Sequence, residues 1–153
     1  MLAFVESLNA EFFKIAPSWV TLPKKALFRL NRDTRFSADK SPYKTELGAR
    51  FGTAQGPAAE SSGFYVSISP KGVGVGAGRY MADTPQLAAL RARIAKDHRA
   101  FRRLVEERAV TKALGALQGE RLVRVPKPFP AEHPAADLLR LKQAYFLVTL
   151  TLA

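Results

Sequence analysis

Gly63-Phe64-Tyr65-Val66-Ser67-Ile68-Ser69, followed by Pro70-Lys71-Gly72 and then by Val73-Gly74-Val75-Gly76-Ala77-Gly78-Arg79, is the stretch on which the fold turns. Phe64, Val66 and Ile68 alternate with their neighbours at the period of two that marks a half-buried strand. Pro70-Lys71-Gly72 is turn chemistry, so the next run folds back beside the first, and short links of this kind favour antiparallel pairing over crossovers. In an extended chain Gly72, Gly74, Gly76 and Gly78 share one side, with Val73, Val75, Ala77 and Arg79 on the other. One face of this strand is bare backbone. Such a face permits close approach by a ligand or by a side chain such as Tyr65 or Trp19. It is no dinucleotide fingerprint, because Ala77 and Arg79 stand where that motif needs glycine, and no Gly-Lys-Ser/Thr follows for a P-loop.

Upstream, Leu47 to Gly52 reads as a short strand, and Thr53 to Ser62, built from Ala, Gly, Pro, Ser and Gln, as an exposed connection. Ala26 to Phe36 also alternates, with Phe28, Leu30, Thr34 and Phe36 on one face and Arg29, Asn31, Asp33 and Arg35 on the other, which predicts a strand. Arg32 falls on the apolar face, so it needs either a bulge or an acidic partner. Ser37 to Pro42 is a loop by composition. Leu2, Val5, Leu8, Phe12 and Ile15 recur at helical spacing over about 2–16, and Pro17 stops that helix.

Downstream, Thr84 is the expected N-cap of a helix with Pro85 in its first turn and Leu87, Leu90 and Ile94 inward. Asp97 caps a second helix that carries Phe101, Leu104 and Val105 and ends near Gly115. Arg121 to Val125 alternates again, Pro126, Pro128 and Pro130 impose an extended arm, and a last helix after His133-Pro134 buries Leu138, Leu139 and Leu141. Strands first and helices after them predict an α+β protein, a mostly antiparallel sheet with helices packed on one face, in a single domain over 1–153.

The 153 residues are 47% hydrophobic and hold 10 Gly and 10 Pro, the balance of an ordinary globular chain. Lys and Arg number 24 against 13 Asp and Glu, for a net charge of +11 that favours anionic partners. With no cysteine, disulfides, thiolate metal sites and cysteine nucleophiles are excluded. The start of the chain lacks a basic signal-peptide region, and the longest apolar stretch, Ala144 to Ala153, is far short of the roughly 20 residues that cross a bilayer. The expectation is a cytoplasmic protein with no membrane association.

The densest polar segment runs from Arg29 to Lys44, with five cations against two acids. An Asp33 held between Arg29 and Arg35 on one strand face would leave guanidinium donors to grip a phosphate or carboxylate, with Arg32, Lys40, Tyr43 and Lys44 completing the site. The expected ligand is an anionic, phosphate-bearing small molecule or nucleic acid. A rival reading is a hydrolase or transferase acting on a phosphorylated substrate through Asp33, Asp39 or His133, the last beside Glu132 and one turn from Asp137. A third is a structural or partner-binding module whose Arg and Asp residues pair internally. Arg91 to Lys127 adds eleven cations against four acids, either a solvated helix face or a track for a nucleic-acid backbone. His98 continues an apolar stripe and reads as a half-buried helix residue. Two histidines and no cysteine give no local metal-ligand pattern, and no cofactor or metal is expected.

Three segments carry a resemblance: Ala26 to Lys44 with Arg32-Asp33-Thr34-Arg35-Phe36-Ser37 and Asp39-Lys40-Ser41-Pro42-Tyr43-Lys44; Gly63-Phe64-Tyr65-Val66 with its glycine-rich successor; and Arg124-Val125-Pro126-Lys127 through His133-Pro134 to Lys142. Over Leu2 to about Tyr145 the chain resembles the bacterial and fungal family catalogued as domain of unknown function 2461. The resemblance implies the fold and brings no catalytic residues or cofactor with it. Relative to that family the chain looks shortened at its N-terminus, and its last residues are apolar where the family tends to be charged. A missing covering helix would expose apolar surface, so homo-oligomerisation is a further expectation.

Overall fold

The computed structural model describes residues 1–19, 21–52 and 62–151; the connection expected over Thr53–Ser62 lies outside the described residues except for Ser62. In chain order the elements are helix α1 (Leu2–Ile15), a 3-10 turn (Pro17–Trp19), helix α2 (Pro23–Ala26), strands β1 (Leu47–Gly52), β2 (Gly63–Ser69) and β3 (Gly72–Arg79), helices α3 (Thr84–Lys96), α4 (His98–Val105), α5 (Arg108–Leu114) and α6 (Ala136–Leu139), and strand β4 (Ala144–Leu150). The strands form an antiparallel sheet in the order β1-β2-β3-β4. This is the α+β architecture that the alternating runs predict. No helix among the described residues is long and apolar enough to cross a membrane.

The chain divides into two compact units, each with its own core. In the first, α1 and α2 cover one face of β1 and β2. Val5 and Ala26 pack with Ala49, Phe51 and Val66, and Leu8, Phe12, Leu27, Phe64 and Val73 lean on that cluster. The Phe12 ring sits 4.9 Å from both Phe51 and Phe64. A polar clasp fixes the end of β1: Asn9 Nδ2 donates to the Thr21 carbonyl at 2.7 Å, and Thr21 Oγ1 exchanges two 3.2 Å hydrogen bonds with the backbone of Gly52. On its outer side α1 leaves Phe4, Phe13 and Ile15 exposed.

The strand expected over Ala26–Phe36 does not form. Only Leu27 bridges β1, at Ala49, and only Asn31 bridges Tyr43. Between them the chain closes as a loop through Arg32 N to the Pro42 carbonyl at 3.0 Å and Lys44 N to the Leu30 carbonyl at 2.9 Å. Local carboxylates win the competition for backbone donors: Asp33 Oδ1 accepts from Arg35 N at 3.3 Å and Asp39 Oδ1 from Ser41 N at 2.9 Å, turns that no sheet ladder can share.

In the second unit Ile94, Ala135, Leu138, Leu139 and Leu141 form the core, flanked by Leu90, Phe101, Val125 and Phe129. Asp83, not Thr84, caps α3, accepting from Gln86 N at 2.7 Å. Asp97 caps α4 as its position predicts, at 2.9 Å from Ala100 N. The single helix expected from Asp97 to Gly115 breaks into α4 and α5 at Glu106-Glu107. Two carboxylates oppose the negative end of α4 and favour the positive start of α5, so a break there suits both. Arg121–Val125 forms no strand; Arg121 makes one bridge, to Leu141. The apolar run Ala144–Leu150 is the fourth strand. Its close pairing with β3 explains Gly78, whose φ is +134° and whose absent Cβ would strike the Ala144 carbonyl and the Tyr145 backbone.

Candidate functional site

The face of the sheet opposite α1 is set by the register Gly48↔Ser67, Arg50↔Tyr65 and Gly52↔Gly63. Even-numbered residues of β1 and odd-numbered residues of β2 share this face, and Gly74 of β3 joins them, because a Cβ there would collide with Ser67 Oγ. A Cβ on Gly48 would lie 2.9 Å from the Tyr65 hydroxyl and 3.1 Å from the Phe28 ring. The Arg50 guanidinium lies over Gly52 and Gly63. Glycines thus pave the face, and polar side chains lie flat on them. The bare glycine face of β3 is expected to admit a ligand or a side chain such as Tyr65 or Trp19. Instead Ser67 faces β3 at Gly74, Tyr65 crosses Gly48 of β1, and Trp19 packs against Phe64 with ring centroids 5.2 Å apart.

Glu46, one residue before β1, is fixed to this face. Tyr65 donates its hydroxyl to Glu46 Oε1 at 2.6 Å, and the Ser67 hydroxyl hydrogen-bonds the same carboxylate. Donation from Ser67 and Tyr65, with the positive field of Lys44, holds the Glu46 carboxyl below its ordinary pKa. Burial, and then the neighbouring carboxylate, push the Tyr65 phenol up to about 12. Phe28 covers Tyr65 at 6.0 Å between centroids. Ser67 is 5% exposed, which removes it from consideration as an open nucleophile.

Beside this face opens a cleft of about 340 Å³ lined by Arg32, Lys44, Thr45 and Glu46. Two of the residues expected to bind an anion, Arg32 and Lys44, meet here. The others take different places. Arg35 is closed on Asp33 through Nε to Oδ1 at 2.9 Å and Nη2 to Oδ2 at 2.7 Å, and both are exposed. That pairing, first through the side chain and then through the Arg35 amide, lowers the Asp33 pKa; Arg29 contributes only a weaker through-space attraction. The arrangement of Asp33 between two gripping arginines is therefore not the one adopted. Asp39 accepts from Arg32, from Ser41 N and from Ser41 Oγ, and its pKa falls to about 2, chiefly through Ser41. The acidic partner that Arg32 required is thus Asp39. Lys40 Nζ donates to the Thr34 carbonyl at 2.9 Å, and Tyr43 stands 62% exposed at the base of the loop.

Asp33 and Asp39 are committed to cations of their own loop, and so are poorly placed as proton acceptors. His133 belongs to the second unit, where its Nδ1 accepts from Ala135 N at 3.0 Å and its ring meets His98 edge-on at 5.9 Å. In the same unit Asp137 takes a 2.6 Å hydrogen bond from Arg102 and does not hydrogen-bond His133. Arg91 and Arg102 of the basic stretch are turned to internal bonds, Arg91 onto the Leu139 and Leu141 carbonyls.

The cluster of Glu46, Tyr65 and Ser67 went unread in the sequence, since Glu46 falls between the basic segment and the strand that follows it. The available signal was parity: Gly48 and Gly74 lie on the face that carries Tyr65 and Ser67.

Fold and site together define a small, basic α+β protein in which a closed cationic loop borders a glycine-paved, polar sheet face. The chain belongs to the family described as conserved hypothetical protein (DUF2461), whose model matches residues 1–153. Comparison with curated proteins and with solved structures gives no match.

Proposed function

We propose that the chain is a binding protein for a phosphate-bearing anionic ligand, held in the cleft beside the basic loop with Arg32 and Lys44 as its cations. The observation that carries this reading is the convergence of those two side chains, twelve positions apart, with Thr45 on one cleft. Asp39 orients Arg32 through Nη1, and a guanidinium has five N–H donors, so others remain for a ligand. Thr45 lines the same cleft and carries a hydroxyl. The grip passes from Arg29 and Arg35, the pair expected from alternation, to Arg32 and Lys44.

Titration with inorganic phosphate, followed by calorimetry or by backbone amide shifts over residues 44–46, tests this. Arg32→Ala and Lys44→Ala each weaken binding by about 1–3 kcal/mol, the scale of a lost charged hydrogen bond, and Arg35→Ala leaves it unchanged. Affinity indifferent to Arg32 and Lys44 would refute the reading. A nucleic-acid ligand is distinguished by salt, since log affinity then falls with log salt at a slope of about −0.9 per phosphate neutralised.

A second reading has its own observation in the two Arg–Asp pairs, which are internal to the loop. On that reading the charges shape the loop for a protein partner. Arg32→Ala then alters the loop's amide shifts while phosphate binds neither form.

A further inference from the structure

Glu46 has no place in a simple anion site. It lines the same cleft as Arg32 and Lys44, and at that range a carboxylate repels the phosphate that the two cations attract. Its position is nevertheless built. The hydroxyls of Tyr65 and Ser67, on alternate residues of β2, both reach it. The two adjoining strands make room for those hydroxyls at Gly48 and Gly74, where any Cβ would displace them.

Arg32 is matched by Asp39 and Lys44 faces Glu46, so the cleft and its immediate partners hold two cations and two carboxylates. Such a cleft gives little net attraction to a bare polyanion, whatever the +11 of the whole chain. A carboxylate has about four acceptor positions. Tyr65 and Ser67 take two of them, and the same carboxylate residue lines the cleft. An ionised acceptor held by two donors, on the same cleft as two cations, suits a ligand that carries an anion at one end and a hydrogen-bond donor at the other.

We infer that the cleft selects a phosphomonoester bearing an ammonium group, with Arg32 and Lys44 taking the phosphate and Glu46 taking the donor. This rests on the phosphate-binding reading given above and narrows it from any anion to a zwitterion. Glu46 is a specificity residue here, and Tyr65 and Ser67 are positioning residues that act through it.

The test compares inorganic phosphate with O-phosphoethanolamine on the full chain. Wild-type protein binds phosphoethanolamine about tenfold more tightly, the factor expected from roughly one added charged hydrogen bond. Glu46→Gln abolishes that preference by weakening phosphoethanolamine and strengthening inorganic phosphate, and Tyr65→Phe reduces it. Arg32→Ala weakens both ligands equally. Equal affinity of the wild type for the two probes, or a preference that survives Glu46→Gln, overturns the inference and leaves the phosphate site standing. Binding of neither probe removes the site and the inference together. The wild-type comparison decides the matter even if a variant fails to fold.

Discussion

The Tyr65 hydroxyl and Glu46 Oε1 are 2.6 Å apart, joining the middle of β2 to the residue just before β1. The phenol stays protonated to donate, and its loss of a proton would set two negative oxygens against each other.

That contact has an optical signature. Raised to about 12, the Tyr65 phenol gives a late step in phenolate absorbance, and Tyr65→Phe removes that step. The linkage has a definite sign. A pKa raised from 10.0 to about 12 on folding contributes stability that is whole below pH 10 and is lost as pH rises through that window. Denaturant midpoints measured from pH 9 upward should therefore fall less steeply in Tyr65→Phe than in the wild type.

Gly74 is required by Ser67 rather than by its own backbone. Gly74→Ala places a methyl group on Ser67 Oγ in a buried part of the sheet and should cost about 1–3 kcal/mol of stability, as overpacking does. Ser67→Gly in the same chain returns the space. Chemical denaturation of the two single variants and the double variant should give a coupling energy of the same order and opposite sign. Additive losses would mean that the two residues do not share that volume.

Arg91 spans two carbonyls at the end of α6, Leu139 and Leu141, at 2.9 Å each. Burial lowers its pKa from the ordinary arginine value. Arg91→Met keeps the aliphatic stem and strands both acceptors, at an expected cost of about 1–3 kcal/mol. Arg91→Lys recovers only part, because an ammonium cannot reproduce the planar fork. Thermal unfolding of the three forms, with amide exchange at 138–142, measures the loss.

The strands over 47–52, 63–69 and 72–79 were legible because alternation survives in each, and Leu138, Leu139 and Leu141 were legible as core because they crowd a short helical turn and the residues just after it. Ala144–Leu150 was noticed only as too short for a membrane; its role as a strand depends on a partner, β3, more than sixty residues earlier. Ala26–Phe36 shows the opposite failure. Its alternation is real, yet Asp33 and Asp39 bond the nearest amides and Pro42 closes the loop, so local turns override the pattern. Among site residues, charge density alone singled out Arg32 and Lys44. It also singled out Arg29 and Arg35, because density says nothing about which cations the folded loop brings onto one cleft. Glu46 was invisible for a related reason. Its partners lie nineteen and twenty-one residues further on, and only the strand register brings them together.

The basic loop is shut at its base by the backbone bonds from Arg32 to Pro42 and from Lys44 to Leu30. A tip closed in this way can gain or lose residues at an entropic cost that grows only with the logarithm of its length. An insertion or deletion engineered into the tip between those bonds should therefore leave the folding of the scaffold beneath almost undisturbed.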